Sequence, residues 1–234
     1  MTETAGPPAL PPGPPPGPAA LSAVLRGRAT AKVLGDAARP RPPEGPPRAA
    51  VEALLDAAAW APFHYPRPEA DRAGGPSPVP WRAWALDAPG CRALLGRVRA
   101  AGLGAGIVPE MLAAADALVL VTWRPAGGRR AEDDPRGAFD GTPLNMEHVA
   151  AGGAMIQSLL LAATAAGHRS YWSSGGPLRG GPVWGWLGVP PEELLLGAVF
   201  LFPAQGGEAR PGKWRDARGA VAGWTTWCEI APEG

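Results

Sequence analysis

Histidine and cysteine are scarce in this chain, and their scarcity removes several kinds of chemistry at once. Of 234 residues only three are His and two are Cys. His64, His148 and His168 stand alone, with no His-Glu-x-x-His and no acidic cluster at metal-ligand spacing. His148, near a helix start, reads as a surface or capping residue. Cys91 and Cys228 are too far apart and too few for a disulfide framework or a cysteine zinc site, and two buried free thiols are expected. An excess of one charge is also missing. Lys plus Arg is 22 and Asp plus Glu is 21, a net +1, which gives no electrostatic basis for binding nucleic acid or an acidic membrane surface. A serine-hydrolase elbow, a Walker-type Gly-Lys-Ser/Thr and a Gly-x-Gly-x-x-Gly after a strand are all absent, so hydrolase, P-loop and Rossmann readings are weak. Met1 to Ala20 has neither the basic start nor the apolar centre of a leader peptide, and no uninterrupted apolar run approaches bilayer length. A cytoplasmic protein without a membrane partner is expected.

Proline and glycine, by contrast, are abundant, at 31 and 33. They crowd into Pro7 to Pro18, Pro40 to Pro47 and Pro66 to Pro80, and ordinary periodic apolar segments lie between. Residues 1–20 therefore read as a mobile tail, and residues 21–234 as a single domain with an inserted loop at 65–79. Leu21 to Leu34 offers a short helix, with a basic, extended stretch around Arg28-Ala29-Thr30. A second, amphipathic helix follows Pro47, carries Val51, Leu54, Leu55, Ala58 and Ala59, and stops near Pro62.

Trp81 to Leu86 reads as a strand, Cys91 to Ala101 as a helix, and Ala117 to Trp123 as the best strand in the chain. Arg129 to Pro135 reads as a solvated loop. Glu147 to Gly167 is the strongest helix, apolar almost all round, and Gly152, Gly153 and Ala154 would allow a tight helix–helix contact in the core or at a dimer interface. A strand over Ser170 to Ser174, a short helix over Val183 to Leu187 and a strand over Leu194 to Phe202 complete the regular elements, and Gly206 to Gly234 reads as a polar tail. Strands separated by unequal helices favour an α+β fold over a doubly wound one.

Four separated features stand in a meaningful order. They are Arg28-Ala29-Thr30; Ala61-Pro62-Phe63-His64 with the later Pro80-Trp81; the long helix running into Tyr171-Trp172-Ser173-Ser174-Gly175-Gly176; and Lys213-Trp214-Arg215. Together they make the chain, over roughly residues 25–220, resemble the nitroreductase family. The resemblance implies a three-layer sandwich with a central, mostly antiparallel sheet, assembled as an intertwined homodimer that binds FMN.

The family pattern places Arg28, Thr30, Lys213 and Arg215 at the flavin phosphate, where a planar guanidinium and a hydroxyl suit the oxyanion. It places Ser174, Gly175 and Gly176 against the ring, and His64 in the loop that contacts the flavin, as a possible proton donor. The implied activity is hydride transfer through flavin N5 from NAD(P)H to a small, flat or conjugated substrate such as a nitroaromatic, quinone or enone. A flavin-dependent dehydrogenase or oxidase of a peptide or specialised metabolite, and a flavin-binding protein without turnover, remain open beside it. Two positions depart from the pattern: Ala29 replaces the commonly doubled arginine, and Tyr65 to Val79 replaces a short polar link.

Overall fold

An uninterrupted apolar run is stable as a strand only where both of its faces are covered. In the computed structural model, which describes residues 17–46, 48–69, 72, 77–104, 106–128, 139–205, 209–212 and 223–228, β3 (Ala117–Trp123) is such a strand and is buried at every position. β5 (Leu194–Phe202) pairs with one side of it and β2 (Trp81–Asp87) with the other, Trp81 lying opposite Trp123. β4 (Arg169–Ser173) pairs with the far side of β5, Arg169 opposite Phe202. The order is β2-β3-β5-β4, antiparallel throughout. β3 and β5 are the greasy centre, while the edge strands β2 and β4 alternate in burial as one-sided strands do.

Period-two alternation divides the central residues between two layers of helix. Leu118, Leu120, Phe200 and Phe202 face α3 (Ala88–Ala100), α4 (Val108–Ala114) and α6 (Gly181–Leu187). Val119, Val121, Val199 and Leu201 face α2 (Arg48–Ala58) and α5 (Pro143–Ala165). The α+β three-layer sandwich expected from the sequence is thus the fold of the chain. Trp81 to Leu86, Ala117 to Trp123 and Leu194 to Phe202 fall where the alternation and apolar runs put them, within a residue.

α5 begins a turn before Glu147. Thr142 caps it by accepting from Asn145 N, and Pro143 occupies the first turn, where its missing N–H costs nothing. The buried Asn145 bonds to both backbone groups of Ala126 and to Asp140 O, so the cap is tied to the end of β3. The buried stripe runs through His148, Gly152, Met155, Leu159 and Ala163, so Val149 and Gly153, expected at its centre, lie at its margin. Gly152 admits a close approach, but to the sheet and not to a helix: a Cβ there would strike Leu196 Cδ1 at 2.2 Å. At 23 residues and mean hydropathy 1.3 over its most apolar window, α5 is long and apolar enough to cross a membrane by length and composition alone, although polar residues such as Glu147 and Gln157 interrupt its apolar run. Its place between α2 and the sheet makes it a core helix.

Three further expectations are corrected. The first helix is α1 (Pro18–Gly27) and does not reach Leu34, because Ala31–Val33 is drawn into a strand, β1, by pairing with β6 (Ala209–Pro211). Neither short strand carries a local signal; each exists through its partner. α4 was not anticipated, since a seven-residue helix buried at six positions has no polar face to reveal a period. Cys91 is buried and its thiol is pushed up to about 12 by desolvation, whereas Cys228 is exposed, so the two free thiols are not both buried. The loop expected over Arg129 to Pro135, the tail before Gly17 and most of residues 213–234 lie outside the described residues.

A buried charge fixes β2 against the turn before β5. Glu193 accepts from Arg82 Nη1 at 2.8 Å and from the Thr122 hydroxyl, which in turn accepts from Trp84 Nε1 at 2.9 Å. The Arg82 guanidinium also lies 4.8 Å over the Trp84 ring. Removing one member of such a pair leaves the other charge in low dielectric. Arg82→Met is expected to cost about 3 kcal/mol, read as a fall in Tm of about 6–12 °C. Arg82→Met combined with Glu193→Leu should recover most of that loss in the same thermal melt, and a single-variant cost below about 1 kcal/mol would contradict the network's role.

Candidate functional site

Thr30 is where the separated sequence features first meet. It forms a parallel bridge with Ser170 at the start of β4. From the other side comes Gly212, next after β6; a Cβ on it would lie 3.0 Å from Thr30 Cβ and 3.3 Å from its Oγ1. Only a glycine lets the two segments lie this close without one giving way. The pairing Ala31–Pro211 therefore carries the chain to within one residue of Lys213 beside Thr30. Lys213 and Arg215 themselves lie outside the described residues. Arg28, two residues before Thr30, caps α1 and is half-buried. Nearby, a Cβ on Gly27 would sit 3.9 Å from Thr164 Cγ2, placing this end of the site beside the last turns of α5.

β4 links this cluster to Ser174, Gly175 and Gly176. Four residues of strand separate Ser170 from Ser174, about 13 Å. The Ser173 hydroxyl accepts from Gly175 N at 3.1 Å, and Arg179 Nε donates to Ser174 O at 2.6 Å, so the turn is held from both sides. Gly175 has φ 102° and Gly176 φ 52°, values that side chains resist, and a Cβ on Gly175 would meet Leu195 Cδ2 at 2.4 Å. Glycine is thus required for the backbone itself. The Gly175 N–H is spent on Ser173; Gly176 opens a 3-10 turn over Gly176–Arg179.

Trp172, one strand residue before Ser173, lies flat across β5, where a Cβ on Gly197 would strike its Nε1 at 2.1 Å. It is nevertheless 41 % exposed. Sequence reading named Trp172 without giving it a role; a tryptophan alternating with buried residues on an edge strand was the available signal.

His64 is elsewhere. It lines a cleft of about 490 Å³ with Pro62, Phe63, Glu147, Ala150, Ala151 and Ala154, beside the first turns of α5. The rise of a helix puts Ala151 about 20 Å from Thr164. One chain therefore brings Arg28 and Thr30 together with the strand leading to Ser174–Gly176, and it does not bring His64 to the Arg28 end. Phe63 is fixed edge-on to Trp81, centroids 5.8 Å apart, and the His64 and Tyr65 rings lie 4.5 Å apart.

His148, expected at the surface, is buried, next in sequence to the cleft-lining Glu147. Its Nδ1 accepts from Trp123 Nε1 at 3.4 Å, which assigns the neutral ring's proton to Nε2. Nε2 is buried within electrostatic reach of the Tyr65 and Pro66 carbonyls, although no hydrogen bond of ordinary geometry closes. Below, Arg67 N donates to Pro78 O at 2.7 Å, and Arg72 Nε donates to Arg67 O, pulling the two ends of the inserted loop together. The spacing of 148 with 152, 155 and 159 on one helical face was the signal that would have placed His148 inside.

Burial holds the His148 pKa below its ordinary value, reinforced by Arg67 and opposed by the Tyr65 and Pro66 carbonyls and by Glu147. Protonation would also set an Nδ1–H against the Trp123 donor. Because the folded value is the lower one, the unfolded chain takes up a proton first. The contribution is full above about pH 6.5 and is lost as pH falls through and below it. Thermal melts from pH 7.5 to 5.5 should show a larger loss of Tm for the wild type than for His148→Phe. Equal losses would contradict a buried, neutral His148.

A three-layer sandwich with this antiparallel order, a long core helix and a glycine turn after β4 is the nitroreductase fold. Solved structures share it. A nitroreductase-like family protein from Bacillus cereus superposes with TM-score 0.60 at 20% identity, over 90% of this chain and 96% of that one. A nitroreductase with bound FMN from Bacteroides fragilis gives 0.54 at 19% identity, over 89% and 98%. The FMN-dependent nitroreductase NfnB from Mycobacterium smegmatis in complex with NADPH gives 0.54 at 14% identity, over 90% and 99%. No family model matches the sequence, and no curated protein matches it either.

Proposed function

We propose that this protein is an FMN-dependent oxidoreductase of nitroreductase type, working as a homodimer and passing electrons from a nicotinamide cofactor to a small conjugated acceptor such as a nitroaromatic, quinone or enone. The observation that carries the reading is the meeting of Thr30, Ser170 and Gly212 at one end of β4, with the Ser173–Gly176 turn at the other. The segment that follows Arg28 and the segment that ends at Gly212, next before Lys213 in sequence, meet where an elongated ligand with an anionic end would need a basic site. The solved structures with FMN and with NADPH bound support the same reading.

The residues present fit such a ligand. Arg28, Thr30, Lys213 and Arg215 would hold the phosphate, guanidinium forks and a hydroxyl being suited to its oxygens. Ser174, Gly175 and Gly176 would lie against the ring, the backbone being free of side chains at both glycines. Bound FMN would supply hydride acceptance and donation at its N5. The chain's part is to orient, to exclude water and to set the local charge, and no acid–base constellation is needed for that. His64, on the cleft wall, would hold or give a proton at an acceptor bound there.

The homodimer is proposed from α5. Its outward stripe, with Met146, Ala150 and Gln157 exposed and Gly153, Ala154 and Leu161 partly so, is nearly all apolar or small. A two-fold axis across that stripe would bring the His64 cleft of one copy towards the Arg28 end of the other, resolving the separation of about 20 Å within one chain.

The test is an absorbance spectrum of the purified chain, with FMN added if it is colourless. Flavin bands should persist through gel filtration and weaken at least tenfold in affinity in Arg28→Ala, the loss of one charge-assisted phosphate contact being worth about 1.5–3 kcal/mol. Failure of the wild type to retain added FMN would overturn the proposal.

A further inference from the structure

We propose that His148 is a proton-operated clasp on the two ends of the inserted segment, Tyr65–Arg67 and Pro78–Val79. The neutral imidazole holds these ends at the start of α5, and the imidazolium releases them while the sheet and the rest of α5 stay folded. The clasp does not depend on the oxidoreductase reading, since every group in it belongs to the chain.

The buried ring lies between two elements. On one side Trp123, the last residue of β3, donates from Nε1 to His148 Nδ1 at 3.4 Å. On the other are the Tyr65 and Pro66 carbonyls, within reach of the buried Nε2. A neutral imidazole suits both sides, having one acceptor and one donor. Arg67, itself buried, donates its N–H to Pro78 O at 2.7 Å and accepts at its carbonyl from Arg72 Nε. What holds Tyr65–Arg67 therefore also holds the return of the chain at Pro78, and Val79 beyond it packs on the core. Trp123 is fixed in turn, edge-on to Phe139 and opposite Trp81. His148 is on the buried face of α5, while Met146 and Ala150, two residues to either side, are exposed. The clasp thus uses none of the outward stripe that a second copy would cover.

A second proton upsets the arrangement on both sides. An Nδ1–H would face the Trp123 N–H, two donors with no acceptor between them. The new positive charge would also be buried beside Arg67. Among the described residues the charges felt at the ring are Arg67, from the inserted segment, and Glu147, its neighbour on α5; β3 contributes Trp123, which carries none. Glu147 is exposed and its attraction screened, and burial outweighs it. Release is the cheaper response. The packing of α5 on the sheet lies about two turns further on, at Met155, Ile156 and Leu159, whereas one backbone hydrogen bond joins the described ends of the inserted segment. Once released, the ring regains its ordinary pKa near 6.5, above its value when clasped. The released state therefore binds the proton first and gains as pH falls below about 6.5. Between pH 7.5 and 5.5 its population can rise by up to about tenfold.

Hydrogen–deuterium exchange of the full chain, with flavin content recorded on the same samples, reads the clasp directly. Peptides covering residues 62–68 are compared with peptides of β3 and β5 at pH 7.5, 6.5 and 5.5, after correction for the intrinsic effect of pH on exchange. The wild type should lose about three- to tenfold of the protection of 62–68 between pH 7.5 and 5.5, with β3 and β5 unchanged. His148→Phe, which fills the space and takes no proton, should show no such loss. Deuteration at the imidazole Cε1, followed over days in the same spectrometer, reports the protonation of each histidine and needs no variant. His148 should titrate over the pH range in which 62–68 loses protection. A wild-type loss below about threefold, an equal loss in His148→Phe, or titration of His148 without loss at 62–68 would overturn the proposal. So would loosening of β3 and β5 in step with 62–68, which is the mark of global unfolding. Chain that retains no flavin yet shows the expected pattern keeps the clasp and sinks the redox reading.

Discussion

The packing of α5 on the β3–β5 face is the constraint on which the rest of the structure depends. Met155, Ile156, Leu159, Leu160 and Ala163 bury themselves against Val119, Val121, Val199 and Leu201, and each full burial of such a side chain is worth about 1.5–3 kcal/mol. Gly152 lets the helix approach Leu196 of β5. The parts of the candidate site are then indexed along one helix. The Arg28 and Thr30 end lies by its last turns, the His64 cleft by its first, and His148 and Asn145 tie its start to β3 and the segment that follows.

Polar groups do the work of registration that apolar contacts cannot. The Arg82–Glu193–Thr122–Trp84 network fixes the edge strand β2 to the centre of the sheet. The Ser173 hydroxyl and Arg179 shape the glycine turn after β4. Arg92, donating to Arg41 O and to Leu112 O, and Arg41, donating to Ala114 O and to Asp116, hold the Pro-rich segment after β1 on α3 and α4. Each such bond is modest, but a broken one leaves a buried group without a partner, and this asymmetry keeps the segments in place. Backbone geometry rests on glycine at Gly175 and on close approach at Gly212, the two positions where the candidate site has least room.

Much of this was legible in the sequence, and the boundary follows the physics. β3 and β5 were legible because both faces are covered and the apolar run is unbroken. α5 was legible because its length and composition leave no alternative. β1 and β6 were not, since three-residue strands exist only through each other, and α4 was not, since burial all round erases its period. In the candidate site, Thr30 and the Ser174–Gly176 turn were named from order and residue type, and the bridge to Ser170 sets Thr30 and Gly212 at the start of the strand that leads to that turn. His148 was misplaced because its identity was weighed above its position on the helical face.

The proposed two-copy arrangement across α5 would join the separated halves of the candidate site into one. Sedimentation velocity of the flavin-loaded protein tests it directly. The account predicts a species of twice the chain's mass at micromolar concentration, and its dissociation, with loss of flavin, when Gly153 on the outward stripe is replaced by Glu. A stable monomer that retains its full flavin would contradict it.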